Sequence, residues 1–390
     1  MTLNSQIHSP EILAPAGNLD KLKVACLYGA SAVYVGGLQY GLRSGADNFD
    51  EAQLKAGIKF AKSFGVKVYV TLNAFLHDQD FKNLEKDIES MRDWGVDAFI
   101  ISDPGVMCVA AKVGGVALHL STQATCLNQS AARLWSKMGV SRIITGRELS
   151  IREGQALKEQ TGLEVEMFIH GAMCSAYSGN CTISNYTAGR DSNRGGCKQS
   201  CRFHYQVNES EKTHTLMSSK DLNGLALMQQ WVDSGMDSLK IEGRMKSCLY
   251  VASTSKAYRE GVQSVLEDRP IESWAFETLN GFSNRGYTEA SLVHEAESDS
   301  IVDSHEMDSM FSWAGQIVKA SDNKVWLQLK NPVKVGDELE VLTFKGPNVK
   351  KTIESMKALD GEPTERATQE KVVELDWSGF ESGMIVRRVS

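Results

Sequence analysis

Residues 11–36 read EILAPAGNLDKLKVACLYGASAVYVG, and they set out the unit from which the fold is built. A short apolar run, Glu11–Ala14, leads to Asn18, a residue type that caps helices by accepting from a backbone N–H one turn on. An amphipathic segment follows and stops at Gly29, and a second run, Ala32–Gly36, is rich in β-branched residues. Strand, helix, strand is the reading. The same alternation continues through Lys67–Leu72, Asp97–Ser102, Ala117–Ser121, Arg142–Thr145, Glu164–His170 and Ser238–Glu242, with helices signalled by Asp50 and Gly65, Asp80 and Gly95, Asn128 and Gly139, and Ser150 and Gly162. Another helix is expected from Asp221 to Ser234. Eight strands separated by helices favour an α/β fold of the TIM-like (β/α)8 barrel type over an open doubly wound sheet. The weakest units are the second, where Gly37–Asn48 has no helical period, and the fourth, where the interval to the next strand is short. A long helix, about Met245–Leu266, follows the eighth strand and ends at Asp268-Arg269-Pro270.

The barrel domain is expected over 1–290. From 291 to 310 the chain turns acidic and serine-rich, as a linker does. Residues 311–390 hold alternating runs separated by Ser321-Asp322-Asn323, Val335-Gly336-Asp337 and Lys345-Gly346-Pro347, which predicts a small C-terminal antiparallel β-barrel.

The composition, 42% hydrophobic and 23% charged over 390 residues, is that of an ordinary globular protein. The polar start, Met1–Pro10, has no secretory pattern, and no apolar stretch is long enough to span a bilayer. The expectation is a cytoplasmic protein with no membrane partner. A net charge of −7 argues against a surface coated for nucleic acid but leaves room for a local patch. Arg190, Arg194, Lys198, Arg202 and Lys220 form such a run; it is either a polyanion contact or a solvated loop.

Half of the eight cysteines, Cys174, Cys181, Cys197 and Cys201, fall in 168–202, the insertion after the seventh strand. Thiolates suit zinc and iron–sulfur clusters, and a reducing compartment disfavours disulfides, although two disulfides or ordinary buried cysteines are the plain alternatives. One turn of helix would bring Cys197 and Cys201 to one face. Cys26, Cys108, Cys126 and Cys248 are scattered and read as small core residues.

Barrel enzymes work at the carboxyl ends of their strands. That rule selects Asn73, Asp103, Gln123, Arg147 with Glu148, His170, and Glu242 with Arg244. His170 is either a proton donor or a backbone-bound histidine. Alternation sends Lys240 and Glu242 to the same side, as a salt bridge or as part of an anion site with Arg244. HExxH, GxSxG and phosphate-loop patterns do not occur, so the common hydrolase and nucleotide mechanisms have no visible machinery.

Several of these stretches together resemble the collagenase-like peptidase family U32. They are Leu13-Ala14-Pro15-Ala16-Gly17, Ala32–Gly36, Ser102-Asp103-Pro104-Gly105, His119-Leu120-Ser121-Thr122-Gln123, Glu166–Ser184 and Lys240–Arg244. Asn193–Arg202 and Arg285-Gly286-Tyr287-Thr288 extend the likeness to members that hydroxylate tRNA. The resemblance implies oxygen-independent 5-hydroxylation of the wobble uridine in the tRNA anticodon loop. It also implies prephenate as a small carboxylate co-substrate, a [4Fe-4S] cluster on Cys174, Cys181, Cys197 and Cys201, and an electron donor whose identity it leaves open. In that setting His170, Glu242 and Lys240 are the candidate catalytic residues. Arg147, Arg244, Asn73 and Gln123 are candidate substrate contacts, with Arg147, Lys240 and Arg244 facing the carboxylates, while Arg190, Arg194, Lys198 and Arg202 are placed on tRNA phosphates. The segment Phe203–Leu216 is shorter than in some tRNA-hydroxylating members, which bears on tRNA selection more than on chemistry. Rival readings are a peptidase, a hydroxylase of ribosomal RNA or of a ubiquinone precursor, and an RNA-binding protein with a structural zinc.

Overall fold

A computed structural model describes residues 8–42, 47–206, 213–295 and 308–389. Eight parallel strands, β1 Glu11–Pro15, β2 Ala32–Gly36, β3 Lys67–Leu72, β4 Ala98–Ile101, β5 Ala117–Leu120, β6 Arg142–Ile144, β7 Glu164–Ala172 and β8 Ser238–Ile241, pair each with the next. β8 also pairs with β1, Leu13 lying opposite Lys240, and that closes the barrel. The runs predicted from β-branched periodicity are the strands observed, to within a residue or two at their ends.

Helix starts follow the local chemistry. Asn18 accepts from the Lys21 N–H at 3.0 Å, while Asp50 with Gln53 and Ser150 with Glu153 form capping boxes. The doubtful fourth unit does contain a helix, Pro104–Val113. Asp103 caps it from both Gly105 and Val106, and Pro104 supplies the preset φ of a first helical turn. Three helix expectations are corrected. The helix read from Asp80 begins at Leu84, after a 3₁₀ turn over Asp78–Lys82. The long helix begins at Cys248, capped by Ser247. Asp221–Asn223 is a short strand that runs antiparallel to the extended end of β7, with Asp221 opposite Ala172, so only Met228–Asp233 of that interval is α-helical. Here an open strand edge outweighs helical propensity.

The predicted linker lies mostly outside the described residues. At its start Leu292 is buried in the barrel core, and its carbonyl accepts from the Ile151 N–H at 2.9 Å.

The C-terminal part is a seven-stranded antiparallel sheet in the order Val349–Thr352, Glu338–Leu342, Ile385–Val389, Phe311–Ser321, Lys324–Leu329, Val372–Leu375, Lys357–Ala358. It curves round its own core of Ile317, Leu327, Val341 and Val386. Among the described residues the two outer strands do not pair with each other, so the expected small antiparallel β-barrel takes the form of a half-barrel. It is fastened to the (β/α) barrel by Tyr28, whose hydroxyl donates to the Leu342 carbonyl at 2.7 Å and accepts from the Ile385 N–H at 2.8 Å. Leu342 and Ile385 themselves belong to the barrel's apolar core. Tyr28→Phe strands both backbone groups and is expected to lower stability by about 1–3 kcal/mol. Urea titration followed by tryptophan fluorescence checks this; an unchanged midpoint would mean that water replaces the hydroxyl.

Candidate active site

Above the barrel floor the interior is charged rather than apolar. Arg142 bonds Glu11 at 2.8 Å, Glu164 at 2.8 Å and Glu166 at 3.2 Å, and Glu166, with no exposed surface, holds Lys240 at 2.8 Å through its other oxygen. Tyr69 and Ser238 donate to Glu11. Burial alone raises the Glu166 carboxyl, but Lys240 and Arg142 outweigh it and hold the group below its ordinary range. His119, packed edge-on to Tyr69, is pushed down to about 3, first by burial and then by Arg142, and is neutral. The expected Lys240–Glu242 pair is therefore replaced by Lys240–Glu166. Glu242 instead accepts from the Tyr34 hydroxyl at 3.3 Å.

On this layer opens a cavity at the carboxyl ends of the strands. Asn73, Gln123, Arg147, Lys240, Glu242 and Arg244 line it, as the strand-end rule selects. Cys174, Cys181, Cys197 and Cys201 line the same cavity from the other side.

The insertion that carries the cysteines is tied to three neighbouring loops. Glu148 accepts from the Ser178 N–H at 2.8 Å, Thr125 donates to the Ser178 carbonyl at 2.6 Å, and the Phe75 N–H donates to the Asn193 carbonyl at 3.1 Å. Gly179 makes the closest approach: at φ +80° a Cβ there would lie 2.1 Å from the Gln123 carbonyl oxygen, so no other residue fits. Cys197 and Cys201 do not share a helical turn. Gln199 adopts the left-handed conformation at φ 56° and only Ser200–Arg202 form a 3₁₀ turn. The loop path instead brings all four cysteines to the lining of one cavity. All eight cysteines are free. Cys26, Cys126 and Cys248 are buried as expected, whereas Cys108 is exposed. Burial raises the Cys201 thiol, Arg202 lowers it, and Cys174 and Cys197 raise it again, which places these sulfurs within one another's field. Among the described residues, no group of three or more His, Cys, Asp or Glu side chains is arranged to hold a single metal ion.

His170 is the clearest departure from the sequence reading. Phe168 faces Lys240 across the ladder, but the next paired residue opposite Ile241 is His170, so Ile169 is an extra residue in β7. One added residue reverses which face the side chains take. His170 consequently leaves the cavity and lies, 2% exposed, among Tyr250, Tyr258 and Tyr287, with its Nδ1 3.0 Å from the Tyr258 hydroxyl. Burial and then Lys246 push it down to about 3, so it is neutral and carries no proton to the cavity.

Two further assignments change. Arg244 is buried, donates to Thr71 at 3.3 Å and to Asn48, and presses so close to Gly36 that a Cβ there would meet its guanidinium at 2.3 Å. It clamps the β2 and β3 ends together. Of the four proposed phosphate contacts, Arg190 and Lys198 are exposed. Arg194 instead binds Asp80 at 2.9 Å and the Phe75 carbonyl at 2.6 Å, and Arg202 turns inward to Gln199 at 2.9 Å. Sequence reasoning missed Phe168 as the cavity's aromatic floor and Thr122 and Ser192 as lining hydroxyls; the alternation of β7, Glu166 and Phe168 both facing in, was the available signal for the first.

Fold and site define a (β/α) barrel protein whose cysteine-bearing loop closes over a charged, strand-end cavity. The chain belongs to peptidase family U32: the model of that family matches residues 17–301, and the model of the family's C-terminal domain matches 311–387. It is 38% identical to the tRNA hydroxylation protein P1 of Bacillus subtilis (strain 168), covering 92% of this chain and 89% of that one. Identity to tRNA hydroxylation protein P of Escherichia coli (strain K12) is 33%, over 90% of each chain. The 23S rRNA 5-hydroxycytidine C2501 synthase of the same strain is 33% identical over 91% of this chain, which spans 56% of that longer protein. No helix among the described residues is long and apolar enough to cross a membrane.

Proposed function

We propose that this protein hydroxylates a pyrimidine of tRNA, and specifically C5 of the wobble uridine, without molecular oxygen, in the cytoplasm and with prephenate as co-substrate. The observation that carries the proposal is that four cysteines and the polar strand ends line one cavity in a chain similar over nearly its full length to proteins named for tRNA hydroxylation. Four free thiols on the lining of one cavity are the donor type a [4Fe-4S] cluster takes, and Cys174, Cys181, Cys197 and Cys201 would hold it. Such a cluster would supply electron-transfer chemistry beside the base.

The chain's own residues do the rest. An anticodon loop turns a base out at small cost, and the cavity mouth receives it. Glu242 is the one carboxylate among the described cavity-lining residues, so it is the group placed to accept a proton from the bound base. Lys240, fixed by Glu166, keeps positive charge beneath the base, and the exposed Arg190 and Lys198 meet the RNA backbone. Arg194 and Arg202 are spent on internal bonds.

Mass spectrometry of tRNA from a strain lacking the gene tests the reading. Nucleosides derived from 5-hydroxyuridine should vanish from the wobble position and return on complementation. An unchanged tRNA spectrum would sink it.

A further inference from the structure

The cavity contains a guanidinium without a counter-ion. Among its cations Lys240 is held by Glu166, and Arg244 donates to Thr71 and Asn48. Arg147 differs. Its guanidinium carbon lies over the Phe168 ring, 4.0 Å from the centroid, and among the described residues no carboxylate or other hydrogen-bonding group engages it. A half-buried cation on an aromatic face that lines a cavity is arranged for an oxyanion that arrives from outside.

A second donor is aimed at the same space by a chain of hydrogen bonds with only one consistent direction. The Leu42 backbone N–H, which can only donate, binds the Asn73 Oδ1 at 3.2 Å. That fixes the Asn73 amide, so its Nδ2 donates to the Ser121 Oγ and the Gln123 Oε1, each at 3.3 Å. The Ser121 hydroxyl also donates to the Gln123 Oε1. With its oxygen doubly engaged, Gln123 presents its NH₂ to the cavity. Two buried hydroxyls that line the same space, Thr122 at 4% and Ser192 at 8% exposure, have no partner. Buried polar groups left unmatched are costly unless a ligand completes them.

We infer that Arg147 and Gln123 form a carboxylate-binding subsite for a small co-substrate, with Asn73 as the positioning residue that sets the direction of the Gln123 amide. A neutral base carbonyl would satisfy the amide but leave the guanidinium charge uncompensated in a partly desolvated place; a carboxylate satisfies both and matches the planar fork. The subsite rests on the proposed function only in taking this cavity as the reactive centre.

Titration calorimetry on the intact protein without RNA tests it, using prephenate, phenylpyruvate and the uncharged amide of phenylpyruvate. The acids should bind and the amide should bind weakly or not at all. Arg147→Gln should weaken the acids by about tenfold or more, and Arg147→Lys, which restores charge without the fork, should recover only part of the loss. Asn73→Ala should reduce the preference for acid over amide while the variant still melts cooperatively, a readout that loss of folding would not produce. Failure of both acids to bind the wild type, or equal binding by Arg147→Gln, overturns the inference. So does a variant that binds the acids normally but loses affinity for an anticodon stem-loop, because the oxyanion is then an RNA phosphate. Acid binding that survives alongside unchanged tRNA in the deletion strain would instead reject the tRNA reading and leave the subsite standing.

Discussion

Cys174→Ala, purified without air, is expected to have lost its iron and acid-labile sulfide, where the wild type carries about four of each per chain. The same variant should fail to restore wobble hydroxylation in the deletion strain. The expectation follows from position: Cys174 is exposed at the cavity, directly beyond the buried end of β7, and nothing in the core depends on its packing. Melting of the barrel should therefore be nearly unchanged in the cluster-free state, which separates loss of a ligand from loss of the fold. Cys108→Ala is the matched control, since Cys108 is also exposed but does not line the cavity. Iron analysis, sulfide analysis and the visible spectrum decide the matter. One tightly bound zinc per wild-type chain would replace the cluster by a structural site and bring the RNA-binding rival forward.

Glu166→Ala should be among the most destabilising single changes in the barrel, by about 3–5 kcal/mol, because it leaves Lys240 and Arg142 buried without their shared carboxylate. Glu166→Gln keeps the volume and isolates the charge. The pH dependence has a definite sign. The folded carboxyl lies below its unfolded value, so its contribution is fully present above the unfolded value and is lost as pH falls through the folded one. Urea midpoints of the wild type should fall on acidification, and Glu166→Gln should show a shallower fall. Parallel curves for the two proteins would remove Glu166 as the source.

How far the sequence could lead differs from residue to residue. β2 and β3 were readable because each is a continuous β-branched run between turn residues, and the capped helices because Asn18, Asp50 and Ser150 carry their signal locally. The polar mouth was readable for the same reason: strand ends are fixed once strands are. What could not be read was the face of a side chain beyond an irregularity. Nothing in Phe168-Ile169-His170 announces an extra residue, and the register slips only because β8 fixes the pairing from 71 residues further along the chain, Ile241 opposite His170, which puts His170 in another layer than alternation predicts. Partner choice was hidden too. Lys240 stands two residues from Glu242 in sequence, yet the carboxylate it meets is on the neighbouring strand, and Arg194 looks like a phosphate contact until Asp80 is brought beside it. Such pairings are long-range and leave no periodic trace.

Closure of the barrel by β8 has a consequence for the order in which the molecule can be made. Residues 11–15 wait for residues 238–241 before either edge of the sheet is covered, so during synthesis β1 through β7 emerge as an open sheet with the cysteine loop following last. All four thiols are therefore translated before the strand that closes the barrel, so the loop that carries them is complete while the wall it will stand on still lacks its last strand.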